Sequence, residues 1–220
     1  MDKPIGIMGG TFDPVHFGHL HSALELLRIF NFEYIEFIPC KSPVHKQLAN
    51  AKAQHRYAML LLATEVMPQF LVNDCEITRD SPSYMVETLQ TLRLKYPNRP
   101  LCLLLGTDAF MSLPTWHRYE KILELAHIVI LQRPGYNLAP DTKLKNYLIA
   151  NLAEDISELH ERIAGSIYFQ VITELNISST QIRTQCSVGM LPHFLTPESV
   201  VNYIKRYQLY QSIYQEGTSC

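Results

Sequence analysis

The chain alternates between short apolar runs and longer segments in which apolar residues recur every three or four positions. PIGIM (4 to 8), YIEFIP (34 to 39), FLVND (70 to 74), LCLLLG (101 to 106), HIVILQ (127 to 132) and IYFQVI (167 to 172) have strand length and are rich in β-branched or aromatic residues. Their near-continuous apolar character predicts strands buried on both faces. Between them, HLHSALELLRIF (19 to 30), QHRYAMLLLATEVM (54 to 67), YMVETLQTLRLKY (84 to 96) and YEKILELA (119 to 126) carry the period of amphipathic helices. The polar stretch RPGYNLAPDTKLKN (133 to 146) reads as an exposed loop, followed by a helical segment to about Ala164, a last strand and a C-terminal helical region. In TPESVVNYIKRYQLY (196 to 210), Thr196 is expected to cap a helix with Pro197 at its first position.

Strand and helix in alternation predict an α/β fold: a Rossmann-like, doubly wound, mainly parallel sheet with helices on both faces and a small C-terminal helical region. The expected organisation is one domain over 1 to 220, with 173 to 220 as the C-terminal helical region. In such sheets ligands bind beyond the carboxyl ends of the strands, so the loops after strands are where chemistry is sought.

Composition narrows the field. A chain of 220 residues, 47% hydrophobic, can bury a sizeable core. Lys+Arg 19 against Asp+Glu 21 leaves a formal net charge of -2, with no global field to attract nucleic acid or an acidic membrane surface. An anion must be held by local groups. The five cysteines, Cys40, Cys75, Cys102, Cys186 and Cys220, are scattered and never form CxxC, which points to reduced thiols and a cytoplasmic location. No apolar run approaches the roughly 18 residues that span a bilayer. Nothing in the sequence sets an oligomeric state.

The loop after the first strand, within GGTFDPVHFGH (Gly9 to His19), draws attention next. Adjacent glycines let another group approach the backbone closely, and Pro14 stiffens the turn, so the N–H groups of Thr11 and Phe12 can face an anion. A helix begins immediately after, and its N-terminus adds unpaired donors and partial positive charge. His16 and His19, three apart, fall on one side of the first turn. Three readings stand: a strand-to-helix turn in which one histidine caps the helix, a metal site, or a phosphate cradle. HExxH is absent and no third ligand lies nearby, so no protein metal site is expected. Near the other end, NISSTQIR (176 to 183) places Ser178, Ser179 and Thr180 at the opening of a short helix, with Arg183 one turn on. Hydroxyls and a guanidinium at a helix N-terminus suit phosphate oxygens, although a well-capped helix with a solvated arginine would read the same way.

These residues carry a resemblance. GGTFDPVHFGH, with Thr11, His16, Gly18 and His19, is similar to the signature of the nucleotidyltransferase superfamily of α/β phosphodiesterases, and ISSTQIR matches that superfamily's second motif, ISSTxIR. PVHK (43 to 46) resembles the PPHK segment of bacterial nicotinate-nucleotide adenylyltransferases, with Val44 in place of the second proline. SPSYMVETL (81 to 89) resembles their SYTxDTL segment, with Met85 in place of threonine. LLLGTDAFMSLPTWHRYEKIL (103 to 123) matches GxDxxxxLxxW at Gly106, Asp108, Leu113 and Trp116.

The resemblance implies transfer of AMP from ATP to nicotinic acid mononucleotide, with Mg2+ arriving on ATP, in the adenylation step of NAD synthesis. It implies His16 and His19 as catalytic residues. Gly9, Gly10, Thr11, Phe12, Gly106, Asp108, Ser179, Thr180 and Arg183 would bind ATP, and Lys46, Tyr84, Met85, Trp116 and Arg133 the acceptor. Other members of the superfamily, which adenylate nicotinamide mononucleotide or pantetheine phosphate, share the two end motifs and remain alternatives, as does a nucleotide-binding module without catalysis.

Overall fold

Among the described residues six parallel strands form one sheet, in the order β3-β2-β1-β4-β5-β6. The computed structural model describes residues 2–42, 49–132 and 140–211. In chain order the elements are β1 (Ile5–Gly10), α1 (Phe17–Ile29), β2 (Ile35–Pro39), α2 (Ala53–Thr64), β3 (Phe70–Val72), α3 (Cys75–Thr78), α4 (Met85–Lys95), β4 (Leu101–Gly106), α5 (Thr107–Met111), α6 (Ile122–Leu125), β5 (His127–Gln132), α7 (Thr142–Asn151), α8 (Glu158–Glu161), β6 (Ile167–Val171), α9 (Ser179–Ser187) and α10 (Glu198–Arg206).

The apolar runs behave as their composition demands. Successive side chains of a strand leave opposite faces of the sheet, and both faces here are covered. Met8, Phe37, Leu104 and Val129 pack with Leu26 of α1, Met59 and Leu60 of α2, Ile182 of α9 and Val200 of α10. Ile7, Ile38, Leu105 and Ile130 pack on the opposite side with Leu89 of α4, Phe110 of α5, Ile122 of α6 and Leu144 of α7. The doubly wound α/β expectation holds.

Several boundaries differ from the sequence expectation. The run at 70 to 74 stops as a strand at Val72, because Asn73 turns its amide to the buried Glu36 carboxylate at 3.0 Å and Asp74 opens α3. The stretch read as a loop to 146 is helical from Thr142, where the Asp141 side chain accepts from the Leu144 N–H at 2.8 Å and caps α7. Thr196 is not a helix cap: α10 begins at Glu198, with Pro197 at the cap position, and the Thr196 hydroxyl donates to the carbonyl of Val15 at 2.8 Å. The buried hydroxyl serves the loop after β1.

Strand order places the switch point of the sheet between β1 and β4. β1 pairs with β2 on one side and β4 on the other. Connections therefore leave in opposite directions from β1 and β4, opening a crevice at their carboxyl ends.

Candidate active site

A cavity of about 420 Å³ occupies that crevice, lined by Gly9 and Gly10 at the end of β1 and Thr11 beyond it, Gly106 at the end of β4 and Asp108 in α5, Tyr84 and Met85 at the start of α4, and Trp116 between α5 and α6. Eight of the residues expected to bind nucleotide or acceptor thus meet in one cavity. Gly9 permits the close approach of Met85, since a Cβ there would stand 2.6 Å from the Met85 Cε. The cavity also takes in Cys40, Glu76, Ser83 and His117, none of which the sequence singled out. The His117 ring, directly after Trp116 in the chain, lies 4.5 Å from that of Tyr84 between centroids, inclined by 30°. Burial pushes the Cys40 thiol pKa up, so it is no ready nucleophile.

The histidines stand at the end of the same loop. His16 occupies the N-cap of α1, and its N–H donates to His19 Nδ1 at 3.3 Å. Their rings lie 3.8 Å apart. His16 is buried and its Nδ1 has no hydrogen-bond partner among the described residues, while burial lowers its pKa to about 4. Gly18 makes room for it: a Cβ would come within 2.9 Å of His16 Nδ1 and 3.4 Å of the Ile177 carbonyl. Phe12 takes a left-handed φ of 48 and points its ring into the core, edge-on to His19 and Phe37. That aromatic packing holds a backbone conformation unfavourable for a bulky residue.

The 178–183 segment closes on this loop from the other end of the chain. Ser178 caps α9 by accepting from the Gln181 N–H at 3.1 Å. Ser179 Oγ donates to the Pro14 carbonyl at 2.8 Å, and Arg183 Nη1 to the Asp13 carbonyl at 2.8 Å. Arg183 Nη2 donates to Thr180 Oγ1 at 3.2 Å. The two motifs are therefore in direct contact, although more than 150 residues separate them in sequence. Lys46 and Arg133 lie outside the described residues.

Two buried charges underlie the loop. Asp13 accepts from the N–H groups of Asn50 and Ala51 and from the Tyr210 hydroxyl. Arg56, fully buried in α2, donates among the described residues only to main-chain carbonyls. The sequence did carry a signal for Arg56, which shares a helical stripe with Met59, Leu60 and Ala63 where an apolar residue is expected.

Comparison with known proteins fits this geometry. Residues 7–185 match the cytidylyltransferase-like family model. A protein of Hahella chejuensis named "Probable nicotinate-nucleotide adenylyltransferase" is 41% identical over 213 residues, covering 96% of this chain and 97% of its own. The chain belongs to the nicotinate-nucleotide adenylyltransferase family. A relative of the same name from Methylococcus capsulatus is 41% identical over 94% of this chain and 99% of its own. Among solved structures, Plasmodium falciparum nicotinic acid mononucleotide adenylyltransferase complexed with NaAD superposes with a TM-score of 0.68 at 21% identity, covering 95% of this chain and 98% of that one, which supports the shared fold. As a member of the family the chain is a nucleotidyltransferase. Among the described residues, no helix is long and apolar enough to cross a membrane.

Proposed function

We infer that this chain transfers AMP from ATP to nicotinic acid mononucleotide, forming nicotinic acid adenine dinucleotide and pyrophosphate. The observation that carries the reading is the shared loop: Gly9 to Thr11 line the cavity, while Pro14 and Asp13 of the same loop accept hydrogen bonds from Ser179 and Arg183. One backbone segment thus joins a cavity with aromatic walls to the hydroxyls and guanidinium of Ser179, Thr180 and Arg183, which are proposed to meet phosphate.

In the proposed reaction, an oxygen of the acceptor phosphate attacks the α-phosphorus of ATP. The bond from that phosphorus to the bridging oxygen breaks, and pyrophosphate leaves with the electron pair. An ionised phosphate is already a competent nucleophile, so alignment and charge neutralisation dominate. His16 and His19 would donate to oxygens that gain charge, with Ser179, Thr180 and Arg183 at the leaving end and Asp108 near the adenosine. Trp116, with Tyr84 and Met85, would bound the pyridine. Lys46 and Arg133 are proposed to contact the acceptor on the strength of the resemblance alone.

Among the described residues, no group of three or more His, Cys, Asp or Glu could hold a metal ion. Magnesium favours oxygen ligands and readily binds through substrate phosphates, so the ion would arrive as MgATP.

Pyrophosphate release, assayed with ATP, magnesium and each candidate acceptor, tests the reading. Nicotinic acid mononucleotide should turn over fastest. Faster turnover of nicotinamide mononucleotide or of pantetheine phosphate would replace the acceptor, and no turnover with any of them would favour a binding module.

A further inference from the structure

Arg56 is the one fully buried side chain of the described residues that carries a formal positive charge. Its guanidinium makes four N–H···O bonds. Nε donates to the Ala51 carbonyl at 3.1 Å, Nη1 to Thr11 at 2.6 Å, and Nη2 to Cys40 at 2.7 Å and Lys41 at 3.0 Å. None of these acceptors is a carboxylate. A buried guanidinium is ordinarily matched by an anion, whereas here four peptide dipoles receive the charge.

Those carbonyls belong to the two loops that frame the site. β1 and β2 run in parallel register as far as Gly10 opposite Pro39, and the Cys40 N–H still reaches the Gly10 carbonyl at 3.0 Å. Beyond that point the ladder ends, and Arg56 takes over by binding Thr11 from one strand's loop and Cys40 and Lys41 from the other's. The Lys41 N–H in turn donates to Ser83 Oγ at 3.1 Å, and Ser83 lines the cavity beside Tyr84 and Met85. A single planar cation therefore joins the phosphate loop to the wall proposed to receive the pyridine.

The same bonds orient the loop. The carbonyls of Gly10, Thr11, Asp13, Pro14 and Val15 are drawn to Cys40 N–H, Arg56, Arg183, Ser179 and Thr196 respectively. With its carbonyls held by protein donors, the loop keeps oxygen dipoles from turning toward an incoming anion.

We propose that Arg56 is a positioning residue for adenylyl transfer: it holds the Thr11 peptide against the Cys40–Lys41 peptides, so that donor and acceptor phosphates meet in line, and adds a buried positive charge behind them. It touches neither substrate. This role rests on adenylyl transfer being the reaction of the chain.

Arg56→Lys and Arg56→Met separate the parts of this role, because lysine keeps the charge but cannot span four peptides with one rigid fork. Melting temperature, kcat, both KM values and calorimetric titration with pyrophosphate are measured for each. For Arg56→Lys, kcat should fall about 10- to 100-fold through lost alignment, with pyrophosphate affinity within about threefold of the parent. Arg56→Met should in addition weaken pyrophosphate binding about tenfold or more, as expected when a charge in a shielded site is removed. A lowered melting temperature with unchanged kcat, KM and pyrophosphate affinity would make Arg56 merely structural and overturn the proposal. Should neither variant fold, Ser83→Ala tests the far end of the relay, with a several-fold fall in kcat expected and unchanged kinetics counting against it. If the unaltered protein turns over no acceptor, the assigned reaction fails, while equal pyrophosphate affinity in the parent and Arg56→Met would separately dismiss Arg56.

Discussion

The imidazoles of His16 and His19 lie 3.8 Å apart with their planes inclined by 31°, and the main-chain N–H of His16 donates to Nδ1 of His19. That hydrogen bond leaves Nδ1 of His19 unprotonated, so a neutral His19 carries its proton on Nε2. An Nε2–H donor held in this way suits an oxygen that gains charge during displacement. His19→Ala should therefore lower kcat by at least about a hundredfold, as loss of a transition-state donor does. Circular dichroism should be unchanged, since His19 is only half-buried. A kcat equal to the parent's would remove His19 from the chemistry.

His16 makes a different prediction, because burial lowers its pKa to about 4. The unfolded chain titrates it near 6.5. Between these values the unfolded state holds a proton that the native state rejects, so His16 costs stability progressively as pH falls from about 6.5 to about 4. At neutral pH the penalty is absent. Urea unfolding at pH 7, 6, 5 and 4 should show a steeper acid loss in the parent than in His16→Gln, differing by at most about 3 kcal/mol at pH 4. His127, also buried with a lowered pKa, contributes equally to both proteins and cancels. Parallel curves would mean that His16 is not held neutral by the fold.

The strands were legible because burial on both faces requires continuous apolar runs, and β4 and β5 coincide with the runs at 101 to 106 and 127 to 132. The two end motifs were legible too, through residue types that few structural roles demand together. What escaped has a common cause: a polar side chain serving a distant partner looks locally like something else. Thr196 before proline resembles a cap, yet its hydroxyl is used by Val15. Arg56 disappears into a helical period whose apolar stripe it interrupts. Asp13 reads as part of a turn, and its partners at Asn50, Ala51 and Tyr210 are set by the fold.

Gly9 and Met85 should prove coupled. A Cβ on Gly9 would meet only the far end of a flexible side chain, so Gly9→Ala should fold with little loss of stability while displacing the Met85 methyl within the cavity. The KM for the mononucleotide should rise at least about fivefold, since one extra methylene in a pocket is worth about 1–3 kcal/mol. In a Met85→Ala background the obstacle is gone, and the same Gly9→Ala change should then have almost no effect. Steady-state kinetics of the four proteins in this cycle test the relationship, and additive effects would contradict it.

Tyr210 and Asp13 tie the C-terminal region to the same loop. The Tyr210 hydroxyl donates to Asp13 Oδ1 at 2.9 Å, and burial, reinforced by the Asp13 charge, pushes its pKa well above the usual range. Tyr210→Phe removes one hydrogen bond to a charged group and should cost about 1.5–3 kcal/mol. Asp13→Asn should cost more. Asparagine offers one acceptor oxygen where the carboxylate supplies two, and its NH2 would face either the Asn50 or the Ala51 N–H, leaving a buried donor unmatched. Activity should separate the two variants further. Tyr210→Phe leaves Arg56, Ser179, Arg183 and Thr196 on the loop carbonyls, so its kcat should stay within a few-fold of the parent. Asp13→Asn disturbs the Ala51 peptide, whose carbonyl also accepts from Arg56, and should lower both stability and kcat. Urea unfolding paired with steady-state assays measures both quantities. Equal stabilities for the two variants would show that the main-chain donors at 50 and 51, and not the carboxylate, hold this corner of the site.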